Sequence, residues 1–535
     1  MRKIALLAVI LMIPAAVISA EKYDYEGGVP DGCTSVTAGK DATVDGSVIT
    51  SHTCDSHRTR AWIDVRPAAR YGKGAEVTLY KRTNVDSLAM PLYGHAPVGT
   101  IPQIEKTYGY LNPAYPCINE KQVAVGESTF GGRDTLQSDN GLIDCQRLCR
   151  LMMERATTAR EAIEIADRLT ARYGWIDVGE CLTISDKKEV WHFEIVGPGA
   201  GRRGAVWVAQ RVPDDHVSIN ANASRIRGID LDNSEYFMAS DNIYEVAEEF
   251  GWWSEGEKFE FCYAYAPESR LSIAGRRREW RALDLLAPSL NLDPTSENYP
   301  FSVKPDSKVS VQDVIEVFQD YYEGTPYDMT RTLTVRDENG EQVISPLANP
   351  FMPYDQLELD DIRGSWFHVS DEEGIRFLGE RTIARWYTMY ATIIQTRDYL
   401  PDEIGGLVWL ALDNVATSVY IPVYAGVTDL PEPYKTPGRP NGYSRDSAWW
   451  AFNRLGTLTA QRWGDMRHDV RDVWDPMQKE LFENQEEFEK KARKISNMKK
   501  RREFLTEYTH RQGTRAVEKA WELGDLLWTR YDEKF

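Results

Sequence analysis

Up to about residue 424 the apolar residues fall mainly in short alternating or β-branched blocks; beyond 447 they recur at helical spacing. Residues 33–37 and 47–53 predict two strands joined through a Gly39-Lys-Asp turn region and Asp45-Gly46. Paired antiparallel about a bend near 43, their partner numbers sum to about 86, so Cys33 faces residue 53 with His52 and Asp55 beside it. A further short strand is expected at 122–125. Between Gly141 and Tyr173 the period turns helical, through Leu142, Cys145, Leu148, Cys149 and Met152, then Ala162, Ile165 and Leu169. Breaks are expected near Thr157 and Gly174.

Residues 180–185 and 190–196 predict a hairpin, and 206–211 and 216–220 continue the strands. Residues 311–322 read as helix, 381–400 mix both signals, and 407–412 with 417–424 predict a hairpin around Asp413-Asn414. Prolines and glycine mark a linker at 431–440. Residues 447–458 and 469–531 are charged and favour helix. No repeat at solenoid period is present. Antiparallel hairpins accompanied by helices indicate the α+β class.

At 535 residues, the chain needs a large layered domain or two to three domains. The 42% hydrophobic content is that of a packed globular protein. The net charge of −19, with acids spread along the whole length, argues against a nucleic-acid partner. The one basic run, from Lys490 to Arg502, is interleaved with Ile495 and Met498 and is expected on the outer face of a late helix.

Residues 1–20 have Arg2 and Lys3, an apolar stretch from Ile4 to Ile13 and small residues ending at Ala20. This is the pattern of a secretory signal, cut after Ser19 or Ala20 and too short for a stable membrane span. The polar segment 21–32 suits a removable propeptide or an N-terminal tail. The expected product is exported, to the periplasm or outside the cell, after signal-peptide removal. Seven cysteines in an oxidising compartment suggest one free thiol, Cys33, with up to three disulfides, or else a set of buried thiols.

Cys33 carries the sharpest chemistry. A cut between Gly32 and Cys33 would give that residue a free α-amine, with a pKa near ~7.7–8.0, beside a thiol near ~8.5. Such a nucleophile brings its own base. The stretch Cys33-Thr…Gly39-Lys-Asp-Ala…Asp45-Gly-Ser resembles the opening of the C69 dipeptidases. These are N-terminal-nucleophile hydrolases related to penicillin V acylases and bile salt hydrolases. Tyr322-Glu-Gly-Thr-Pro-Tyr-Asp328, Glu380-Arg-Thr-Ile383, the block from Tyr399 to Thr428 and Ser447-Ala-Trp-Trp450 extend the resemblance to about residue 455.

That resemblance implies a four-layer αββα sandwich over 33–430, with a C-terminal helical extension over 431–535. It also implies roles. Asp55 would orient the amine of Cys33, and Asn222 would donate to the oxyanion, with Asn220 the neighbour confusable with it. Asn119 resembles a second such donor. Arg278 resembles a late arginine beside the thiol, with Arg276 and Arg277 adjacent. His52 stands where many relatives carry arginine, which leaves its role open between catalysis, substrate contact and packing; it is taken as substrate-facing.

No His-Glu-x-x-His, Cys-x-x-Cys, phosphate-binding loop or Gly-x-Ser-x-Gly elbow occurs, and no metal or cofactor is expected. The expected activity is an exported cysteine-type amide hydrolase, a dipeptidase by resemblance. An N-acyl amidase and a secreted binding protein on an inactive hydrolase scaffold are the alternatives. The expected partner is a dipeptide or other small-molecule substrate, with no nucleic acid and no stable membrane span; a homo-oligomer is left open.

Overall fold

The computed structural model describes residues 32–56, 58–85, 92–351, 369–371, 374–376 and 380–534, so the readings for residues 1–31 lie outside the described residues. Two large sheets carry the fold. The seven-stranded one runs Ser302–Val303, Val217–Asn220, Gly32–Ala38, Val48–Asp55, Thr388–Thr396, Leu407–Leu412, Ile421–Tyr424. The eight-stranded one runs Phe237–Ala239, Val206–Arg211, Val190–Val196, Gly179–Ser185, Ala124–Gly131, Ile118–Asn119, Tyr110–Asn112, Asp64–Arg66. All their pairings are antiparallel. The chain is a mixed α and β protein with several antiparallel sheets and a helical C-terminal region.

The two sheets meet through the strands around Cys33. Gly32–Ala38 and Val48–Asp55 pack on Ala124–Gly131. The Thr50 hydroxyl hydrogen-bonds Thr183 across the gap, at 2.9 Å to its carbonyl and 2.7 Å to its hydroxyl. A Cβ on Gly126 would lie 2.3 Å from the Ser51 carbonyl oxygen, so only glycine lets the backbones come this close.

Cys145–Arg155 and Ala159–Tyr173 lie against the eight-stranded sheet. The break comes where the sequence places it: the Thr158 hydroxyl caps the second helix, and Gly174 ends it at φ +76°. Ile273–Leu286, Val311–Gln319 and the C-terminal helices lie against the seven-stranded sheet.

Ala448–Gln461, Trp463–Lys494 and Met498–Arg530 form the C-terminal region. Its last two helices clasp the edge strand Ile421–Tyr424, stacking Phe488 on Tyr508 at 3.8 Å between centroids. The buried Arg397 guanidinium pairs with Glu489, and the Gln478 amide satisfies the Tyr420 backbone. An otherwise open sheet edge is thereby closed. The basic run departs from expectation: it straddles the junction at 495–497 between two helices, and Met498 is exposed. The strands Glu76–Val85 and Leu92–Pro102 also pair antiparallel over their length, which the hydrophobic pattern did not predict.

His192 sits at the heart of this packing, fully buried, its Nε2 3.0 Å from the Thr37 hydroxyl. Burial, and then the charge of Arg225, pull its pKa down to about 3. The folded imidazole stays neutral where the unfolded one takes a proton, so stability is complete above about pH 6.5 and declines as pH falls. His192→Gln is expected to flatten that decline by up to ~1.4 kcal/mol per pH unit, read from urea unfolding between about pH 6 and 4. An unchanged slope would mean that the folded protein already binds this proton.

Candidate active site

Cys33 is the second residue of the strand Gly32–Ala38 and is buried, with 5% of its surface exposed. It faces Cys54, one residue beyond the expected partner, and Gly32 faces Asp55. The connection between these strands is a bridged loop rather than a tight turn, so pairing and not turn length sets the register. The offset carries Asp55 opposite the residue whose carbonyl precedes Cys33.

Both sides of the Cys33 backbone are held. Its N–H donates to Asn222 Oδ1 at 2.9 Å, and its carbonyl accepts from Arg278 Nη1 at 2.7 Å. Arg278 Nη2 also donates to Asn222 Oδ1 at 2.8 Å. Asn222 stands just past the end of Val217–Asn220 in the left-handed region, φ +58°, which asparagine tolerates better than most residues. This separates it from Asn220, whose amide turns back to the Ala223 carbonyl at 2.8 Å. One hydrogen of the Asn222 amide goes to the Thr129 carbonyl at 2.6 Å; the amide has a second to give.

Helical spacing separates the three arginines in the same way. On Ile273–Leu286, Arg276 donates to the Ser296 carbonyl and Arg277 pairs with Glu380, while Arg278 alone turns to Cys33. Burial, then Arg381, pull Arg278 down to about 9, so it remains a cation at neutral pH.

Asp55 is fully enclosed, pairing with Arg381 and accepting from the Thr388 hydroxyl at 2.6 Å. Burial by itself would lower Arg381, but Tyr387 and Asp55 outweigh it and raise the guanidinium. Arg381 also lies against the start of the strand. A Cβ on Gly32 would come 2.8 Å from its Nη2 and 3.2 Å from Asn222 Oδ1. Arg381 lies in the patch Glu380-Arg-Thr-Ile383 that resembles the family, and the sequence alone assigns it no role.

Glu127 was missed outright. It lies on Ala124–Gly131 in the facing sheet, fully buried, and its Oε2 accepts from the Cys33 thiol at 3.3 Å. A lone carboxylate inside an otherwise uncharged strand was the signal available. Its other oxygen accepts from the Thr129 hydroxyl at 2.9 Å, and Thr129 in turn lies 3.0 Å from Glu180. A single hydroxyl hydrogen cannot serve both carboxylates, so one of them carries a proton.

The electrostatics assign that proton to Glu180, which burial and the charge of Glu127 push well up. Burial opposes the charge on Glu127 too, but the adjacent His52, Glu180 and the Cys33 thiol outweigh it and hold the carboxyl low. Burial, and then the Glu127 charge, push the Cys33 thiol well above its ordinary value. With the chain intact before residue 33, this thiol therefore keeps its proton.

His52 stands behind Glu127, 1% exposed and edge-on to the rings of Tyr115 and Tyr390, at 5.6 Å from each. Its Nε2 lies 3.3 Å from Glu127 Oε2 without the alignment of a hydrogen bond. An enclosed imidazole of this kind is not offered to a substrate; it meets the site through Glu127. Asn119 is set apart as well. Its amide donates to the Met153 and Ala156 carbonyls at 3.0 and 2.8 Å, which ties down a helix end and leaves no donor for an oxyanion.

All seven cysteines are buried and none is joined in a disulfide, in line with the second alternative. Among the described residues, two groups of side chains have ligand atoms within 4.8 Å of one another, Cys33 with His52 and Glu127, and Glu127 with Cys145 and Glu180.

The model of peptidase family C69 matches residues 32–476, the span that begins one residue before Cys33 and takes in both sheets. The chain belongs to peptidase family C69. It is a hydrolase of peptide bonds. It is similar to a probable dipeptidase of Latilactobacillus sakei, 26% identical over 81% of this chain and 82% of that protein. A probable dipeptidase B of Streptococcus pyogenes serotype M1 is 24% identical over 80% and 78%. Dipeptidase A of Lactobacillus helveticus is 22% identical over 82% and 83%. No helix among the described residues is long and apolar enough to cross a membrane.

Proposed function

We propose that this C69 peptidase is an exported cysteine dipeptidase whose nucleophile is Cys33, freed as the N-terminal residue by a cut after Gly32. The observation that carries the reading is the double anchoring of Cys33, N–H on Asn222 and carbonyl on Arg278, with its thiol facing Glu127. The dipeptidase names of its relatives support the substrate class. The facing sheets with helices against each are in keeping with the αββα sandwich of N-terminal-nucleophile hydrolases, the C-terminal helices forming an extension of it.

In this mechanism the neutral α-amine of Cys33 takes the thiol proton, and the thiolate attacks the substrate carbonyl. The second amide hydrogen of Asn222 donates to the resulting oxyanion. The ammonium then passes its proton to the leaving amine, and a thioester forms at Sγ. Water, deprotonated by the same amine, releases the acyl group and restores the thiol. Arg278 keeps positive charge at the Cys33 backbone through both steps. Asp55 and Arg381 hold the strand end from which the amine is freed.

The test pairs mass spectrometry with an assay. The expected result is a mature chain beginning at Cys33 that cleaves unblocked dipeptides and leaves N-acyl amino acids, including penicillin V-type amides, largely uncut. The reverse preference would make the protein an N-acyl amidase. A mature chain that starts at Glu21 and cleaves neither would make it a binding protein.

A further inference from the structure

We propose that Cys33, His52 and Glu127 form a zinc-binding site that shuts the enzyme off. The donor set is one sulfur, one imidazole nitrogen and one carboxylate oxygen, the combination that zinc takes. Spacing fits the ion. Tetrahedral zinc, with bonds of ~2.3 Å to sulfur and ~2.0 Å to nitrogen and oxygen, separates S from O by about 3.5 Å and N from O by about 3.3 Å. Cys33 Sγ and His52 Nε2 each lie 3.3 Å from Glu127 Oε2, within a few tenths of an ångström of those two separations, and all three ligand atoms lie within 4.8 Å of one another.

A second observation points the same way. His52 Nε2 is buried and, among the described residues, has no aligned hydrogen-bond partner, although it lies 3.3 Å from Glu127 Oε2. Leaving such a nitrogen unsatisfied is unfavourable, and a bound ion would satisfy it. Binding exchanges the Cys33 thiol proton for the metal: the S–H bond breaks, the Zn–S bond forms, and the proton leaves to solvent. The sulfur is then no longer free to attack a carbonyl.

The fourth ligand rests on the proposed cut after Gly32. An N-terminal cysteine presents its amine and thiolate on neighbouring carbons, and the two close a five-membered ring on one ion. A peptide nitrogen has no lone pair to offer, so before the cut the site has three protein ligands and after it four. Zinc affinity is therefore expected to rise on maturation.

Cobalt(II) reports the ligands directly, because thiolate gives it a near-ultraviolet charge-transfer band and tetrahedral geometry gives intense visible bands. Mature protein titrated with Co²⁺ is expected to show both at one ion per chain, and Zn²⁺ to bleach them. Cys33→Ser is expected to abolish the charge-transfer band, and Glu127→Gln to weaken binding at least ~10-fold. Binding without the thiolate band overturns the site. A band that survives Cys33→Ser assigns the ion to Cys145 beside Glu127 and Glu180, and also overturns it.

Activity separates this proposal from the dipeptidase reading. Zn²⁺ is expected to suppress dipeptide cleavage, with EDTA restoring it. An active enzyme with no thiolate band sinks the zinc site alone, whereas a thiolate-bound cobalt site on a chain that cleaves no dipeptide sinks the dipeptidase reading alone.

Discussion

Alanine at position 33 is expected to leave a folded protein that cleaves no dipeptide, a fall of at least ~10⁴-fold, and that still carries residues 21–32. Both losses trace to one sulfur. If the cut after Gly32 is made by the same thiol, removing it stops maturation and turnover together. Packing should tolerate the change: Cys33 is small and its thiol donates one hydrogen bond, to Glu127, so far-ultraviolet circular dichroism is expected to match that of the parent. Iodoacetamide is expected to inactivate the wild type, and EDTA not to lower its rate. Wild-type processing of Cys33→Ala would hand the cut to another protease. Residual cleavage by that variant, or loss of activity to EDTA with indifference to iodoacetamide, would overturn the thiol mechanism.

The second large effect concerns the amine. One extra residue ahead of Cys33 in an otherwise mature chain keeps the thiol, the strand and the backbone anchors but moves the amine away. Turnover is expected to fall at least ~100-fold, the usual contribution of a positioned general base, while substrate still binds. The electrostatics make the amine's task demanding. Burial and the Glu127 charge both resist formation of a thiolate, so a proton acceptor has to stand beside the sulfur. Arg278 and burial favour the neutral amine; Asp55 opposes them, but it is already paired with Arg381 and Thr388. Full turnover in the extended chain would show that the proton goes elsewhere, with Glu127, 3.3 Å from Sγ, the first candidate and His52 behind it.

Local signals in this sequence were reliable where one element explains itself. Thr157-Thr158 and Gly174 bound the two helices over 145–173 because a hydroxyl cap and a positive φ act within a few residues. The hairpin over 179–196 likewise shows in its β-branched runs and polar turn. The strand over 388–396 was ambiguous, since a strand buried throughout loses the alternation that marks a half-exposed one. The second strand of the last hairpin begins only at Ile421, because Val415–Thr417 forms a short 3-10 turn inside the loop.

The site divides along the same line. The proposed nucleophile, the strand carrying it and the family pattern are written in consecutive residues, and the sequence by itself determined that strand and that pattern. The choice of Asn222 over Asn220 came from a left-handed turn that strand alternation does not anticipate. The choice of Arg278 over its two neighbours came from which side of a helix meets Cys33. Glu127 and Arg381 lie 94 and 348 positions from Cys33, counted along the chain, and only the meeting of two sheets and a returning loop brings them to it. Sequence spacing carries the geometry of one strand or one helix. Which distant carboxylate ends against which thiol depends on how sheets stack, on a glycine at 126 that lets them touch, and on burial that sets every charge between them.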